Sequence, residues 1–316
     1  MQNSIFCVNT EPYSIWDPDL KCRNKDFLIG LDPDYFEYTI KLHSNADDEQ
    51  RASVGLQLVL HHAIETLFSL LGAYIQAPDC AYAWLAKCST TELRSLVQRI
   101  SSKDEEIFTK LPVDSLTWES VAQSVFKTYL PNTENQALVA KHFSLLWARL
   151  ANQLCDQTHI DEYNAMKHGF RVRRGGFSIE MSEKPYTEIH RQDADMVVIG
   201  KSDFGSSFFT LEALTPKQKT RSLRINHVCT NWSVQRMVFL SQLVHISISN
   251  VITALRVQNG FMQNECKFTI PSEKEDFDRP WELNCGVNSL RFQSGADEKN
   301  AVVLTKDDLL KIISEK

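Results

Sequence analysis

The feature that most constrains the fold is a long apolar stripe between Arg51 and Ala77. Its apolar residues recur at intervals of three and four, which puts them on one face of an α-helix: Leu56, Leu60, Ile64, Leu67, Leu71 and Tyr74. Pro78 follows directly and marks the end of the helix. A helix this long with one apolar face needs other helices to cover that face. The stripe therefore predicts a helical bundle.

Several other segments are predicted to supply the partner helices. The stretches 136–168 and Trp232–Val257 show the same periodicity, and we expect a break in the first near Thr158. Gly169 is suited to the C-terminal cap of that first stretch. Further helices are predicted over Leu116–Leu130, entered at Ser115 or Thr117, and after the capping-box patterns that begin at Ser89 and Thr305. A capping-box pattern that begins at Thr133 opens the stretch 136–168.

A smaller β component is predicted outside these helices. Short runs of β-forming residues between turn residues predict strands at Phe36–Leu42, Phe177–Glu180, Asp195–Ile199, Phe208–Glu212, Phe268–Ile270 and Ser289–Phe292. The expected fold is therefore mainly α, a helical bundle with a smaller β-containing insertion, and α+β overall. We expect an irregular N-terminal segment over 1–50 packed on the core and the bundle over 51–171. The insertion is expected over 172–230, with the long helix returning to the bundle and short C-terminal elements over 231–316.

Composition narrows the classes of protein that fit. Hydrophobic residues make up 43% of the chain, which suits a globular core, and the net charge of −6 gives no overall attraction to nucleic acid or membranes. The start of the chain does not look like a secretory signal, and polar residues interrupt both long apolar stretches. The eight cysteines contain no C-x-x-C pair, and P-loop, kinase, hydrolase and Rossmann motifs are not found. We expect a cytoplasmic protein with reduced thiols, no membrane segment, no cofactor and no metal.

The segment from Glu162 to Arg171 concentrates polar chemistry at a predicted helix end. Asn164 and His168 are four residues apart and share a helix face, with Lys167 beside them. Arginines follow at once, at Arg171, Arg173 and Arg174. Such a set of amide, ammonium, imidazole and guanidinium donors suits an anionic ligand such as phosphate. The alternative interpretation is a plain helix C-terminus, where basic residues meet unpaired carbonyls.

The run Tyr163-Asn-Ala-Met-Lys-His168 resembles the R-N-x-x-x-H motif of the HEPN superfamily, with Tyr163 where that family has arginine. The likeness extends at most over 51–171, and the same run is similar to stretches of uncharacterised bacterial proteins. It implies a homodimeric, metal-independent endoribonuclease, with a role in defence or in a toxin–antitoxin pair by analogy. His168 would be the general acid or base, Arg171 or Lys167 would stabilise phosphorane charge, and Asn164 would orient the phosphate.

Two further groups are expected to assist such a site. His62 and Glu65 lie three apart on the first predicted helix and, together with Tyr163, are candidate supporting residues. A basic strip for RNA or DNA is predicted from residues after the motif and from a loop before Trp232: Arg173, Arg174, Lys217, Lys219, Arg221 and Arg224. Aromatic residues do not interleave with that strip in the sequence, so base stacking is not predicted.

Two rival functions come from other classes of protein. In the first, the bundle is a non-catalytic scaffold and residues 172–228 bind a protein partner. Tyr163 at the position of the arginine favours this rival. In the second, His61, His62 and Glu65 serve a metal-dependent enzyme, since an imidazole and a carboxylate four apart on a helix can share a face.

Overall fold

The computed structural model describes residues 2–129, 133–169, 171–182, 196–214, 221–262, 266–293 and 302–315. The chain forms two compact units. Unit 1 comprises Met1–Ile160 and Gln235–Leu283, and unit 2 comprises Asp161–Val234 and Asn284–Lys316. Helices dominate and the sheets are small, which confirms the expected mainly helical α+β fold. The C-terminal elements after Leu283 group with the β-containing insertion instead of with the bundle.

Unit 1 is built from a hairpin and a set of helices. The hairpin pairs β1 (Gln2–Val8) with β2 (Glu11–Asp17) in antiparallel register. The helices are α1 (Leu20–Gly30), α2 (Tyr35–Ser44), α3 (Glu49–Gln76), α4 (Ala81–Lys87), α5 (Thr90–Ser101), α6 (Trp118–Val125), α7 (Thr133–Cys155), the start of α8 (Gln157–Lys167), α9 (Val234–Gln258) and α10 (Arg279–Glu282).

Helix α3 is the central element of unit 1, as the apolar stripe predicts. All six stripe residues are buried. Gly72 lies on this helix directly beneath the indole ring of Trp84, which occupies the space that a Cβ at position 72 would need. The indole Nε1 of Trp84 donates to the carbonyl of Cys7 at 3.0 Å and to Oε1 of Gln76 at 3.2 Å. Hairpin, α3 and α4 are thereby joined at one fully buried ring.

The N-terminal 50 residues differ from the prediction. They form the β1–β2 hairpin, α1 and α2 instead of an irregular segment. The strand predicted at Phe36–Leu42 is wrong, because α2 covers those residues. Phe36 and Ile40, four residues apart, are buried, whereas Tyr38 and Leu42 between and beyond them are exposed. Burial thus follows the helical spacing and not the two-residue alternation that suggested a strand.

The other helix predictions are confirmed with shifted ends. Ser89 caps α5 with both arms of the predicted capping box, and Thr117 caps α6 in the same way. Helix α6 ends at Val125 and a 3-10 turn continues to Thr128, so it is shorter than predicted. Helices α7 and α8 meet at Asp156, two residues before the predicted break. The strand predicted at Phe268–Ile270 is wrong, since that segment has no regular structure.

Two helices are long and apolar enough to cross a membrane, α3 and α9. In each, 67% of the most apolar 18-residue window is buried inside the protein. The core helices of a globular protein meet the same criteria, so this observation is weak evidence for a membrane.

Unit 2 holds most of the β-structure. A four-stranded antiparallel sheet has the order β3 (Val172–Arg174), β6 (Gly205–Ala213), β7 (Leu223–Asn231) and β8 (Ser289–Gln293). A separate hairpin pairs β4 (Ser178–Ser182) with β5 (Met196–Lys201), and α11 (Lys306–Ser314) follows with the predicted capping box at Thr305. Four predicted strands are thus confirmed. Strand β7 was not predicted, since its residues were assigned to the basic loop.

The two faces of the four-stranded sheet differ. One face packs on α8, where Phe208, Val228 and Val172 surround Ala165. Residues at alternate positions point to the opposite face. That face is exposed over much of its area, as the fractions for Phe209 (59%) and Phe292 (54%) indicate.

Candidate nucleic-acid interface

The predicted basic cluster lies where α8 ends and β3 begins. Gly169 has φ +90°, a conformation that only glycine adopts without strain, and the backbone N–H of Arg171 donates to the carbonyl of Ala165 at 2.8 Å. This turn confirms the predicted C-terminal cap. It leads the chain directly into β3, and the cationic side chains around it are exposed: Lys167, Arg171, Arg173 and Arg174, together with His168.

The residues assigned to catalysis are close in sequence but not assembled by side-chain contacts. The ammonium of Lys167 lies over the ring of Tyr163, 4.5 Å from its centroid, and Tyr163 itself is buried. His168 is exposed and Asn164 is half-buried. Among the described residues, no hydrogen bond joins the side chains of Asn164, His168 and Arg171. The cluster offers donors to an anion, and the catalytic roles stay a prediction.

A buried carboxylate fixes this end of α8 to the sheet. Oε1 of Glu162 accepts hydrogen bonds from Ser206 Oγ at 2.8 Å, Thr230 Oγ1 at 2.5 Å and Trp232 Nε1 at 3.0 Å. Beside it, Asp161 pairs with Arg291 of β8 at 3.2 Å. These bonds reach strands β6, β7 and β8. They hold α8, which carries Asn164 and ends one residue before His168, in a fixed position against the inner face of the sheet.

The outer face carries a row of aromatic rings that the sequence analysis missed. The strand register sets Phe209 of β6 opposite His227 of β7, and His227 opposite Phe292 of β8. The Phe209 and His227 rings are nearly parallel, with centroids 4.8 Å apart and planes at 28°. The His227 and Phe292 centroids are 6.2 Å apart. Only the pairing of three strands brings these residues together, so sequence spacing gives no signal.

Apolar and basic side chains surround that row. Leu211 and Ile225 form the next pair along β6 and β7, and both are exposed. On the other side of the row, Arg173 of β3 is paired with Ser207 and points to the same face. We call this surface the open face, defined by Arg173, Phe209, Leu211, Ile225, His227 and Phe292. It combines flat aromatic rings with a guanidinium at its edge.

The rest of the predicted basic strip does not form one surface with the open face. Arg224 lies in β7 and pairs with Glu212 at 3.1 Å, at a position that points to the other face of the sheet. Arg221 is exposed just before β7, and its backbone N–H donates to the carbonyl of Leu304. Lys217 and Lys219 of the predicted strip lie outside the described residues.

The predicted supporting residues His62 and Glu65 belong to unit 1, whereas Tyr163 and the other motif residues belong to unit 2. His62 and Glu65 line a cleft of unit 1. His61 points the other way. Its Nδ1 lies 2.8 Å from Nε2 of His159, and both imidazoles are buried. Burial, the nearby His61 and Arg94 hold the pKa of His159 well below its usual value.

The trio proposed for a metal-dependent enzyme is therefore divided between the core and the cleft. Among the described residues, the three potential ligands whose donor atoms lie within 4.8 Å of one another are Asp34, Glu37 and His245. That set does not include His61, His62 or Glu65. Glu37 is also ion-paired to Lys41 at 2.7 Å. The geometric basis for a metal enzyme built on His61, His62 and Glu65 is absent from these residues.

Comparisons with protein-family models, with curated proteins and with solved structures found no match to this chain. The resemblance to the HEPN superfamily thus rests on the motif residues alone.

Proposed function

We propose that the protein binds single-stranded RNA on the open face of unit 2. The row of Phe209, His227 and Phe292 carries this proposal. Nucleobases that are not paired expose their flat faces, and they stack on aromatic side chains presented by a sheet. Such stacking tolerates any base and contributes about 1–3 kcal/mol per base.

Charge supports an anionic ligand on this surface. Arg173 lies in the neighbouring row of the open face, and the exposed Arg171 precedes its strand. Arg174 pairs with Ser206 and points to the opposite face, on which α8 with Lys167 packs. The net charge of −6 does not prevent phosphate binding by these residues, because salt largely screens charges that lie farther from the phosphate than the Debye length of about 10 Å. The guanidinium of Arg173 at the edge of the aromatic rings favours a ligand that carries phosphate over an apolar protein surface.

The resemblance to HEPN proteins extends the proposal to cleavage in a homodimer. In that extension, His168 is the general acid or base, Arg171 or Lys167 stabilises the charge of the phosphorane and Asn164 orients the phosphate. His168 and these cations are exposed and accessible to a strand that lies on the turn after α8.

Binding is tested by fluorescence anisotropy of the full chain with labelled 12-nucleotide oligo(U), oligo(A) and an RNA duplex. We expect binding to both single strands and weaker binding to the duplex. Phe209→Ala and Phe292→Ala should each weaken binding between about fivefold and about a hundredfold, because each removes one stacked base. Tyr38→Ala is the matched control, since Tyr38 is an exposed aromatic residue (67%) of unit 1.

The salt dependence separates phosphate contacts from stacking. Arg173→Ala should lower the slope of log affinity against log salt by about 0.7, whereas Phe209→Ala should leave the slope unchanged. If wild-type protein fails to bind any of these RNAs at 50 mM salt, the proposal is wrong. The open face then fits the alternative of a protein-binding scaffold.

Cleavage is tested separately, in the presence of a chelator that removes metal ions. We expect RNA cut by the wild type and not by His168→Ala, while both proteins bind RNA equally. Binding without cleavage by the wild type would refute the catalytic extension and leave the binding proposal intact.

A further inference from the structure

Unit 1 contains a cleft of about 500 Å³ that plays no part in the proposed RNA site. Its floor is apolar and fully buried, formed by Phe36, Leu70, Leu93, Ile248 and Ile252. These side chains come from α2, α3, α5 and α9, so four helices hold the shape of the cleft. Volumes of about 300–1,000 Å³ with apolar walls are typical of sites for small organic molecules.

The mouth of the cleft is acidic. Glu65 and Asp32 both line it. Oε1 of Glu65 accepts a hydrogen bond from Thr90 Oγ1 at 3.0 Å. Among the described residues, no lysine or arginine comes within 4.0 Å of the Glu65 carboxylate. His62 also lines the cleft, three residues before Glu65 on α3. A half-buried carboxylate with no lysine or arginine beside it favours a cation supplied from outside.

Aromatic rings are also among the side chains of the cleft. Tyr35 and Phe36 both line the cleft, and the Phe36 ring meets the His62 ring edge-on at 5.3 Å between centroids. The faces of aromatic rings attract organic cations. An ammonium group in the cleft would find both carboxylates and aromatic rings among the lining residues.

We propose that the cleft binds an organic amine whose ammonium group pairs with Glu65 and whose apolar body fills the floor between Leu70 and Ile252. The charge of the mouth selects the cation, and the buried floor selects an aliphatic or aromatic chain over a polyamine.

The cleft is a binding site and not a site of thiol chemistry. Cys88 also lines it. Burial, with the nearby Glu92 and Glu65 carboxylates, raises the pKa of the Cys88 thiol to about 12. The thiol therefore stays protonated at neutral pH and is a poor nucleophile.

The experiment is isothermal titration calorimetry of the full chain with three probes of equal length: n-octylamine, n-octanol and octanoate. At pH 8 the amine is protonated and octanoate is anionic. We expect the amine to bind at least tenfold more tightly than the alcohol, and octanoate to bind more weakly than either, since only the amine complements the Glu65 carboxylate.

Glu65→Gln keeps an oxygen that can accept from Thr90 but removes the charge. It should weaken amine binding about tenfold and leave the alcohol unchanged. Glu105→Gln, at an exposed position of the same unit, is the matched control and should change neither. Thr66→Phe should block amine and alcohol alike, because it fills the cleft, and circular dichroism checks that each variant folds.

The proposal is overturned if the wild type binds the amine no better than the alcohol, if Glu65→Gln binds the amine as the wild type does, or if no amine binding is measured. These outcomes are independent of the RNA proposal, because the probes contain no phosphate or base and the variants lie in unit 1.

Discussion

Replacing Glu162 by alanine tests how unit 2 is held together. The Glu162 side chain is 3% exposed, and its Oε1 accepts from Ser206, Thr230 and Trp232. In Glu162→Ala the two hydroxyls can still bond each other, since they already lie 3.0 Å apart. The indole N–H of Trp232 loses this acceptor, which costs about 1–3 kcal/mol. The cavity left by the side chain adds about 1–2 kcal/mol.

We therefore expect Glu162→Ala to lower the free energy of unfolding by about 2–5 kcal/mol. Glu162→Gln keeps an acceptor oxygen and loses the charge, so it should cost about 1–2 kcal/mol, the difference between charge-assisted and neutral hydrogen bonds. Glu180→Ala, at an exposed position of β4, should cost less than about 0.5 kcal/mol.

Urea unfolding followed by circular dichroism measures these changes, and hydrogen exchange of β6 and β7 locates them in unit 2. A double-mutant cycle with Trp232→Phe isolates the indole bond, and the two losses should fall short of additivity by about 1–2 kcal/mol. If the free energy of unfolding of Glu162→Ala lies within about 0.5 kcal/mol of the wild-type value, then the three hydrogen bonds do not fix α8 to the sheet.

Two further predictions concern titratable groups of unit 1. Because burial and His61 hold the pKa of His159 well below its unfolded value, folding favours the neutral ring. The neutral His159 ring therefore contributes its full stabilisation above about pH 6.5, and below that pH the free energy of unfolding falls by up to about 1.4 kcal/mol per pH unit. Urea unfolding at pH values from 8 to 5 should show a smaller fall for His159→Gln than for the wild type. Equal slopes for the two proteins would contradict this. The Cys88 thiol, with its pKa near 12, should react with iodoacetamide at pH 8 far more slowly than exposed Cys22, as peptide mass spectrometry of timed samples would show.

The helical part of the fold could be predicted because its signals are local. The stripe of α3 needs only a repeat of three and four residues, and the capping boxes at Ser89 and Thr305 need only four adjacent residues. The N-terminal segment was mispredicted because Phe36, Tyr38, Ile40 and Leu42 satisfy two periods at once. Tertiary contacts of Phe36 and Ile40 with the core decided between helix and strand.

The candidate site was predicted in part, for the same physical reason. The cations after α8 are consecutive in sequence, so their clustering needs no knowledge of the fold. The aromatic row joins Phe209, His227 and Phe292, which are separated by 18 and 65 residues. Their approach depends on the pairing of β6 with β7 and of β7 with β8. Local periodicity in the sequence does not predict which strands pair over such separations.

The contact between Gly72 and Trp84 has a consequence for the evolution of this chain. A side chain at position 72 and the indole at position 84 compete for one volume, so a larger residue at 72 requires a smaller one at 84. Relatives that carry a larger residue at 72 should carry a smaller one at 84. Without the indole N–H, the carbonyl of residue 7 and the side chain of residue 76 have no indole donor to accept from, so glutamine is no longer needed at 76 for this hydrogen bond. Linked substitution at these sites, more than overall identity, would mark a distant sequence as sharing this core.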